Sequence, residues 1–182
     1  MKYIIASDIH GSAHWCRKLV ENFHRLQADR LILLGDILYH GPRNALPEEY
    51  DPMSVAAMLN APELCTMGVR GNCDAEIDQM VLDFPMFCDY ALMSQGKHSI
   101  LFSHGHIFSP DNLPPMRKGD VFISGHIHVP VCQDKDGILC LNPGSVSIPK
   151  EDSTNSFICF EDGLFTWMDM DGNIYKEYRL ED

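Results

Sequence analysis

Two short runs near the start of the chain, Ile4–Ala6 and Leu31–Leu34, are apolar at every position. A strand with one wet face alternates apolar and polar residues, so uninterrupted runs mark strands buried on both faces, as in parallel sheets covered by helices. The intervening pattern agrees. Across Ser12–Ala28, Trp15, Leu19, Phe23 and Leu26 recur at spacings of four, four and three, which predicts a helix with one core-facing stripe, Ser12 as its N-cap and His24 turned to solvent. With Lys2–Ser7 and Arg30–Leu34 as strands, Met53–Asn60 as a second helix and Leu64–Val69 as a third strand, the first half reads strand, helix, strand, helix, strand.

Beyond about residue 85 strand follows strand: Tyr90–Ser94, Ser99–Ser103, Val121–Ser124, Ile138–Leu141, Ser156–Phe160, Leu164–Met168 and Ile174–Tyr178. Asp136-Gly137, Asp162-Gly163 and Asp171-Gly172 are hairpin-turn dipeptides. The second half is therefore expected to be a mostly antiparallel sheet. Two sheets in one α/β domain spanning residues 1–182 must pack face to face, so the expected architecture is a four-layer α/β/β/α sandwich of two packed mixed sheets, with the helices of each half on its outer faces. Tyr39–Pro52 and Ile107–Lys118 are long irregular insertions, a frequent location of function.

Net charge narrows the partners. Fourteen Lys and Arg face 26 Asp and Glu, for a formal charge of −12 over 182 residues, which disfavours extended nucleic acid. The apolar stretch Tyr3–Ala6 is shorter than a signal core and no run approaches the roughly 18 residues needed to span a bilayer. Seven cysteines, an odd number with no Cys-x-x-Cys pair, argue against a disulfide framework and point to the cytoplasm. Against so many carboxylates the nine histidines suggest a divalent cation.

Five strand candidates run directly into polar motifs: Ser7-Asp8-Ile9-His10-Gly11, Gly35-Asp36, Gly71-Asn72-Cys73-Asp74, Ser103-His104-Gly105-His106 and Gly125-His126-Ile127-His128. The C-terminal edge of a parallel sheet is where distant parts of a chain are gathered into one crevice. By strand periodicity Asp8 and His10, and likewise His126 and His128, are expected to point the same way, each pair aiming two groups at one place. Carboxylate, amide oxygen and imidazole together suit Mn²⁺, Fe²⁺ or Zn²⁺. Seven candidate ligands exceed what one tetrahedral ion needs; two ions sharing a carboxylate would use them, a recurrent device for cleaving phosphate esters.

The ordered set DxH, GD, GNxD, GH and GHxH resembles the calcineurin-like metallophosphoesterases, and among them the small YfcE-like phosphodiesterases, over nearly the whole chain. The resemblance implies Asp8, His10, Asp36 and His128 as ligands of a first metal, and Asp36 as a bridge to a second held also by Asn72, His104 and His126. It implies two divalent ions, Mn²⁺ favoured over Zn²⁺, Fe²⁺ or Ni²⁺, and attack on a small phosphodiester by a hydroxide bridging them. Asn72 and His104 would act in catalysis through the metal. Cys73 stands where many relatives carry a His that protonates the leaving group, so the general acid is unassigned. The turn Asn142-Pro143-Gly144-Ser145 resembles one that packs near the family's site.

Arg70, Cys73 and His106 are candidates for substrate contact, His106 also for a supporting hydrogen bond, and His40 and Arg43 lie in the first insertion. Alternative functions are a phosphomonoesterase acting on a nucleotide or sugar phosphate, and a non-enzymatic interaction scaffold such as the retromer subunit that shares the fold. A homo-oligomer is compatible with the sequence, and no membrane partner is expected.

Overall fold

A computed structural model describes residues 1–181. Helix α1 (Ala13–Leu26) begins where Ser12 accepts the Trp15 amide on its hydroxyl, and it stops at Gln27, which takes a left-handed conformation. Its inward stripe includes Cys16, Leu19 and Phe23, while His24 is exposed as expected. Helix α2 (Pro52–Leu59) is capped by the Asp51 carboxylate, with proline in the first turn.

Eleven strands among the described residues form two mixed sheets. The first runs in the order β11 (Ile174–Arg179), β10 (Leu164–Asp169), β9 (Ser156–Glu161), β1 (Lys2–Ala6), β2 (Arg30–Leu33) and β3 (Met67–Gly68). Strands β1, β2 and β3 are parallel, and β9 joins β1 antiparallel with Ile5 opposite Ile158. The second sheet has the order β4 (Tyr90–Gln95), β5 (His98–Ser103), β6 (Val121–Ile123), β8 (Ile138–Pro143) and β7 (Pro130–Lys135). Here β5, β6 and β8 are parallel, and only the edges β4 and β7 run the other way.

The two-faced burial inferred for the first strands is visible residue by residue. Ile4, Ala6, Leu31 and Leu33 face α1 and α2, whereas Ile5, Ile32 and Leu34 enter the core between the sheets with Ile100, Val121 and Trp167. Two expectations are corrected. The second half is not one antiparallel sheet, because β9–β11 complete the first sheet and the centre of the second is parallel. Among the described residues no helix covers the outer face of the second sheet: Leu101, Phe122, Ile138 and Cys140 are closed over by Phe108, Leu113 and Met116 of the 107–118 segment. The fourth layer of the sandwich is thus irregular chain, whose apolar side chains do the covering.

Trp167 ties the sheets together. It is fully buried on β10, and its indole N–H donates to the Asn142 carbonyl on β8 at 2.8 Å. Asn142 in turn donates its amide to the Gly125 carbonyl at 2.7 Å and accepts the Gly144 N–H at 2.8 Å, so the bridge reaches a loop of the candidate site. Trp167→Ala is expected to destabilise the protein by about 3–5 kcal/mol, lowering the urea midpoint, through the cavity and the orphaned carbonyl.

Candidate metal centre

All five motifs lie where expected, just past the C-terminal ends of β1, β2, β3, β5 and β6. The backbone sews their loops together. Asp8 N–H donates to Gly35 O at 3.1 Å, His10 N–H to Asp36 O at 2.9 Å, Gly11 N–H to Ile37 O at 2.8 Å and Gly125 N–H to His104 O at 2.8 Å. The expected turn contributes as well: the hydroxyls of Ser145 and Ser147 donate to the Asp8 carbonyl at 2.9 and 3.1 Å.

The local conformation differs from a pleated strand. Asp8, His10, Asp36, His126 and His128 all have positive φ, between 50° and 69°. Non-glycine residues there cost on the order of 1–3 kcal/mol each and persist only where surrounding contacts impose them. Alternation along a strand therefore does not aim these side chains. Asp8 and His10 do converge, but His126 and His128 part, His128 toward His10 and His126 toward His104.

The first group is Asp8, His10 and His128, all buried. Asp8 Oδ1 lies 3.1 Å from His128 Nε2 and 3.5 Å from His10 Nε2, and the two Nε2 atoms are 3.3 Å apart. The second group gathers on His104, whose Nε2 is 3.0 Å from Asn72 Oδ1, 3.2 Å from His126 Nδ1 and 3.4 Å from Asp36 Oδ2. Asp36 Oδ2 is also 3.7 Å from His10 Nε2, so this carboxylate stands between the groups.

The hydrogen bonds behind the rings identify what faces inward. His10, His104 and His128 each place Nδ1 on a backbone carbonyl, Tyr39 O at 2.8 Å, Leu34 O at 2.7 Å and Ile148 O at 2.8 Å. Those nitrogens must carry N–H, which leaves the Nε2 lone pairs of the neutral rings aimed into the site. Asp8 Oδ1, buried, has no hydrogen-bond partner. Lone pairs and an orphan carboxylate oxygen 3.1–3.5 Å apart repel one another unless a cation sits among them, and this spacing matches donors bound at about 2.0–2.2 Å to a common ion. The residues fit divalent metals.

Charge points the same way. Burial opposes ionisation of Asp8 and Asp36, but the attraction of the surrounding imidazoles, His104 foremost, outweighs it and holds both carboxyls below their usual range. His104 responds in kind: burial pulls it down, yet Asp36 and Asp8 take it up to about 9. The carboxylates thus favour positive charge at His10 and His104, a charge that a bound cation would supply in place of a proton.

Asp74, inside a motif but given no role by the sequence, proves to be a brace. Its carboxylate accepts the N–H groups of Asp36 at 2.8 Å, Ile37 at 2.8 Å and Gly71 at 2.7 Å, binding the Asp36 loop to the Asn72 loop. Gly71 is required at this junction because a Cβ would collide with the Asp36 backbone and carboxylate. Cys73 donates its N–H to Asp36 Oδ1 at 2.8 Å and its Sγ lies 3.3 Å from Asn72 Nδ2, which turns the Asn72 oxygen toward His104. Burial, then the nearby Asp36, pushes the thiol up to about 12, so it stays protonated.

The candidate substrate contacts separate. Arg70, Cys73 and Arg43 line a cleft of about 1170 Å³ whose floor includes Asp36, Asn72, His126 and His128. Lys150, which no local pattern marks, lines it too. His106 is exposed, its ring tilted against that of His104 with centroids 5.3 Å apart, and it lies outside the cleft lining. His40 turns instead to Tyr50, ring centroids 5.2 Å apart. Among the described residues no helix is long and apolar enough to cross a membrane.

With this geometry in place, four similarities are informative. Residues 1–162 match the model of the calcineurin-like phosphoesterase superfamily domain. Phosphodiesterase YfcE of Escherichia coli (strain K12) is 46% identical over 157 residues, covering 86% of this chain and 85% of that protein, and the solved structure of that phosphoesterase superposes with a TM-score of 0.95 and 40% identity over the whole of both chains. The probable metallophosphoesterase YsnB of Bacillus subtilis (strain 168) is 27% identical over 168 residues, 86% of this chain and 82% of its own. Vps29 of Chaetomium thermophilum, at 16% identity and a TM-score of 0.63, shares the fold over the full length of both chains.

Proposed function

The chain belongs to the calcineurin-like phosphoesterase superfamily, and from that membership we propose that it is a phosphodiesterase using two divalent metal ions. Asp8, His10, Asp36 and His128 would hold one ion, and Asp36, Asn72, His104 and His126 the other. The observation that carries this reading is the buried Asp8 Oδ1 with no hydrogen-bond donor, facing two imidazole Nε2 atoms within 3.5 Å.

The chemistry that two divalent ions supply when bound is a lowered pKa for water and neutralised charge on phosphoryl oxygens. The chain's own work is placement. Backbone carbonyls lock three imidazoles in one tautomer, Asp74 fixes the Asp36 turn against the Asn72 turn, and Cys73 orients the Asn72 amide. Asp36, between the two groups, would serve both ions at once. Phosphoryl transfer asks for little beyond such positioning and charge stabilisation. Cys73, its thiol pushed up to about 12 by burial, is a weak general acid, which supports substrates with good leaving groups.

We further read residues 1–182 as one domain in the cytoplasm, a location that the free state of all seven cysteines, Cys65 and Cys88 exposed among them, supports. Mn²⁺ is the favoured metal.

The test is hydrolysis of chromogenic mono- and diesters with Mn²⁺, Zn²⁺, Fe²⁺ or Ni²⁺ added to metal-stripped protein. Metal-dependent diester cleavage that falls at least about 10²-fold in Asn72→Ala and His126→Ala is expected. Equal rates in the three proteins would overturn the reading.

A further inference from the structure

Three cations, Arg43, Arg70 and Lys150, line the cleft together with candidate ligands, and each is tied to a ligand segment. Lys150 donates its backbone N–H to the carbonyl of His128 at 3.1 Å. Arg70 lies two residues before Asn72, with its guanidinium over the Phe87 ring at 5.2 Å. Arg43 lies in a loop closed by the Asn44 side-chain amide on His40 O at 2.7 Å, next to Tyr39, whose carbonyl anchors His10. Among the described residues none of the three forms an ion pair, whereas Lys2, Arg17, Lys18 and Lys135 all do. A charge of −12 leaves the chain with nearly two acids per base, yet these bases face the cleft without carboxylate partners.

One phosphodiester group carries a single negative charge, and the metal-binding floor addresses it. Three more cations exceed what that charge requires, and about 1170 Å³ exceeds what the group fills. We infer that the walls bind a second anionic group on the substrate, so that this site selects phosphodiesters bearing a further negative charge, such as a phosphate, sulfonate or carboxylate on one ester arm. The inference rests on the phosphodiesterase reading above and adds the substrate class. Overall electrostatics cannot create the preference, since the net charge repels anions. It must come from these side chains, with Glu76 on the same lining opposing them.

The experiment measures Kd by calorimetry on the metal-loaded protein for two slowly reacting ligands, dipropyl phosphate and sulfopropyl propyl phosphate, which differ by one permanent charge. A charge-assisted contact corresponds to about tenfold in affinity, so the sulfonate ligand is expected to bind at least about tenfold more tightly. Arg43→Gln with Lys150→Gln should close most of that gap, and Glu76→Gln should widen it. Equal affinities in the unmodified protein, a gap that survives the double substitution, or equal weakening of both ligands would each overturn the inference, the last assigning the cations to the reacting phosphate. Hydrolysis of a chromogenic diester, measured in parallel, separates the two claims: absent cleavage with an intact gap contradicts the enzymatic reading, and cleavage with no gap contradicts this one.

Discussion

Asp36→Ala is expected to lower kcat/KM for a chromogenic phosphodiester by on the order of 10³-fold, and excess metal should not restore it. The size follows from position. Asp36 Oδ2 faces both groups, 3.7 Å from His10 Nε2 and 3.4 Å from His104 Nε2, while Oδ1 accepts the Cys73 N–H at 2.8 Å. Removing it deprives both proposed ions of a ligand and frees the loop that presents Asn72. Asp36→Asn separates the two effects, because an amide oxygen can still accept the Cys73 N–H but brings no charge. If charge between the groups is what matters, Asn is nearly as damaging as Ala. Steady-state kinetics across a metal titration reads this directly, and an Asn variant close to unmodified activity would remove Asp36 from the bridge.

Asp74→Ala should act differently, through the backbone. The carboxylate is buried and accepts three N–H groups from two loops, so its loss leaves three buried donors unsatisfied and unfastens Asp36 from Gly71. A loss of about 3–5 kcal/mol of stability is expected, with metal affinity weakened about 10- to 100-fold. Because every proposed ligand remains, raising the metal concentration should recover much of the activity, in contrast to Asp36→Ala. Thermal melts and competition titration of metal against a chelating dye measure the two effects separately. Unchanged metal affinity in a folded Asp74→Ala protein would show that the brace does not position the site.

The candidate ligands are legible in the sequence through their side-chain chemistry. Asp8, His10, Asp36, Asn72, His104, His126 and His128 stand at strand ends, in types no apolar core would use, and the structure brings all seven together. The parallel heart of the first sheet is legible for a related reason: Ile4–Ala6 and Leu31–Leu34 are apolar on both faces because each face meets a separate core. Which strand lies beside β1 on its other edge leaves no such mark. Asp162-Gly163 specifies that β9 and β10 pair, with both turn residues at positive φ, but nothing local says that β9 will lie along β1, from the opposite end of the chain.

Backbone conformation at the site is hidden for another reason. Asp-x-His and His-x-His have the period of a strand, and only the turn after β1 or β6 shows that these residues have left the pleat for positive φ. Strand β7 carries no strand pattern because Pro130–Lys135 is a half-exposed, partly polar edge that begins with proline, at the periphery where proline is tolerated. Lys150 and Asp74 owe their roles to contacts formed only in three dimensions, with His128 and with the Asp36 and Gly71 amides.

Whether these seven residues form a two-metal centre is tested most directly by metal content. Protein is stripped, reloaded with Mn²⁺ and freed of excess ion, then measured by elemental analysis beside diester hydrolysis at each loading. Two ions per chain, activity that rises with occupancy, and one ion or fewer in Asp36→Ala are the results expected of a dinuclear site bridged by that carboxylate. Diester hydrolysis that is undiminished in fully stripped protein, or a chain that retains no divalent ion at micromolar supply, would contradict it.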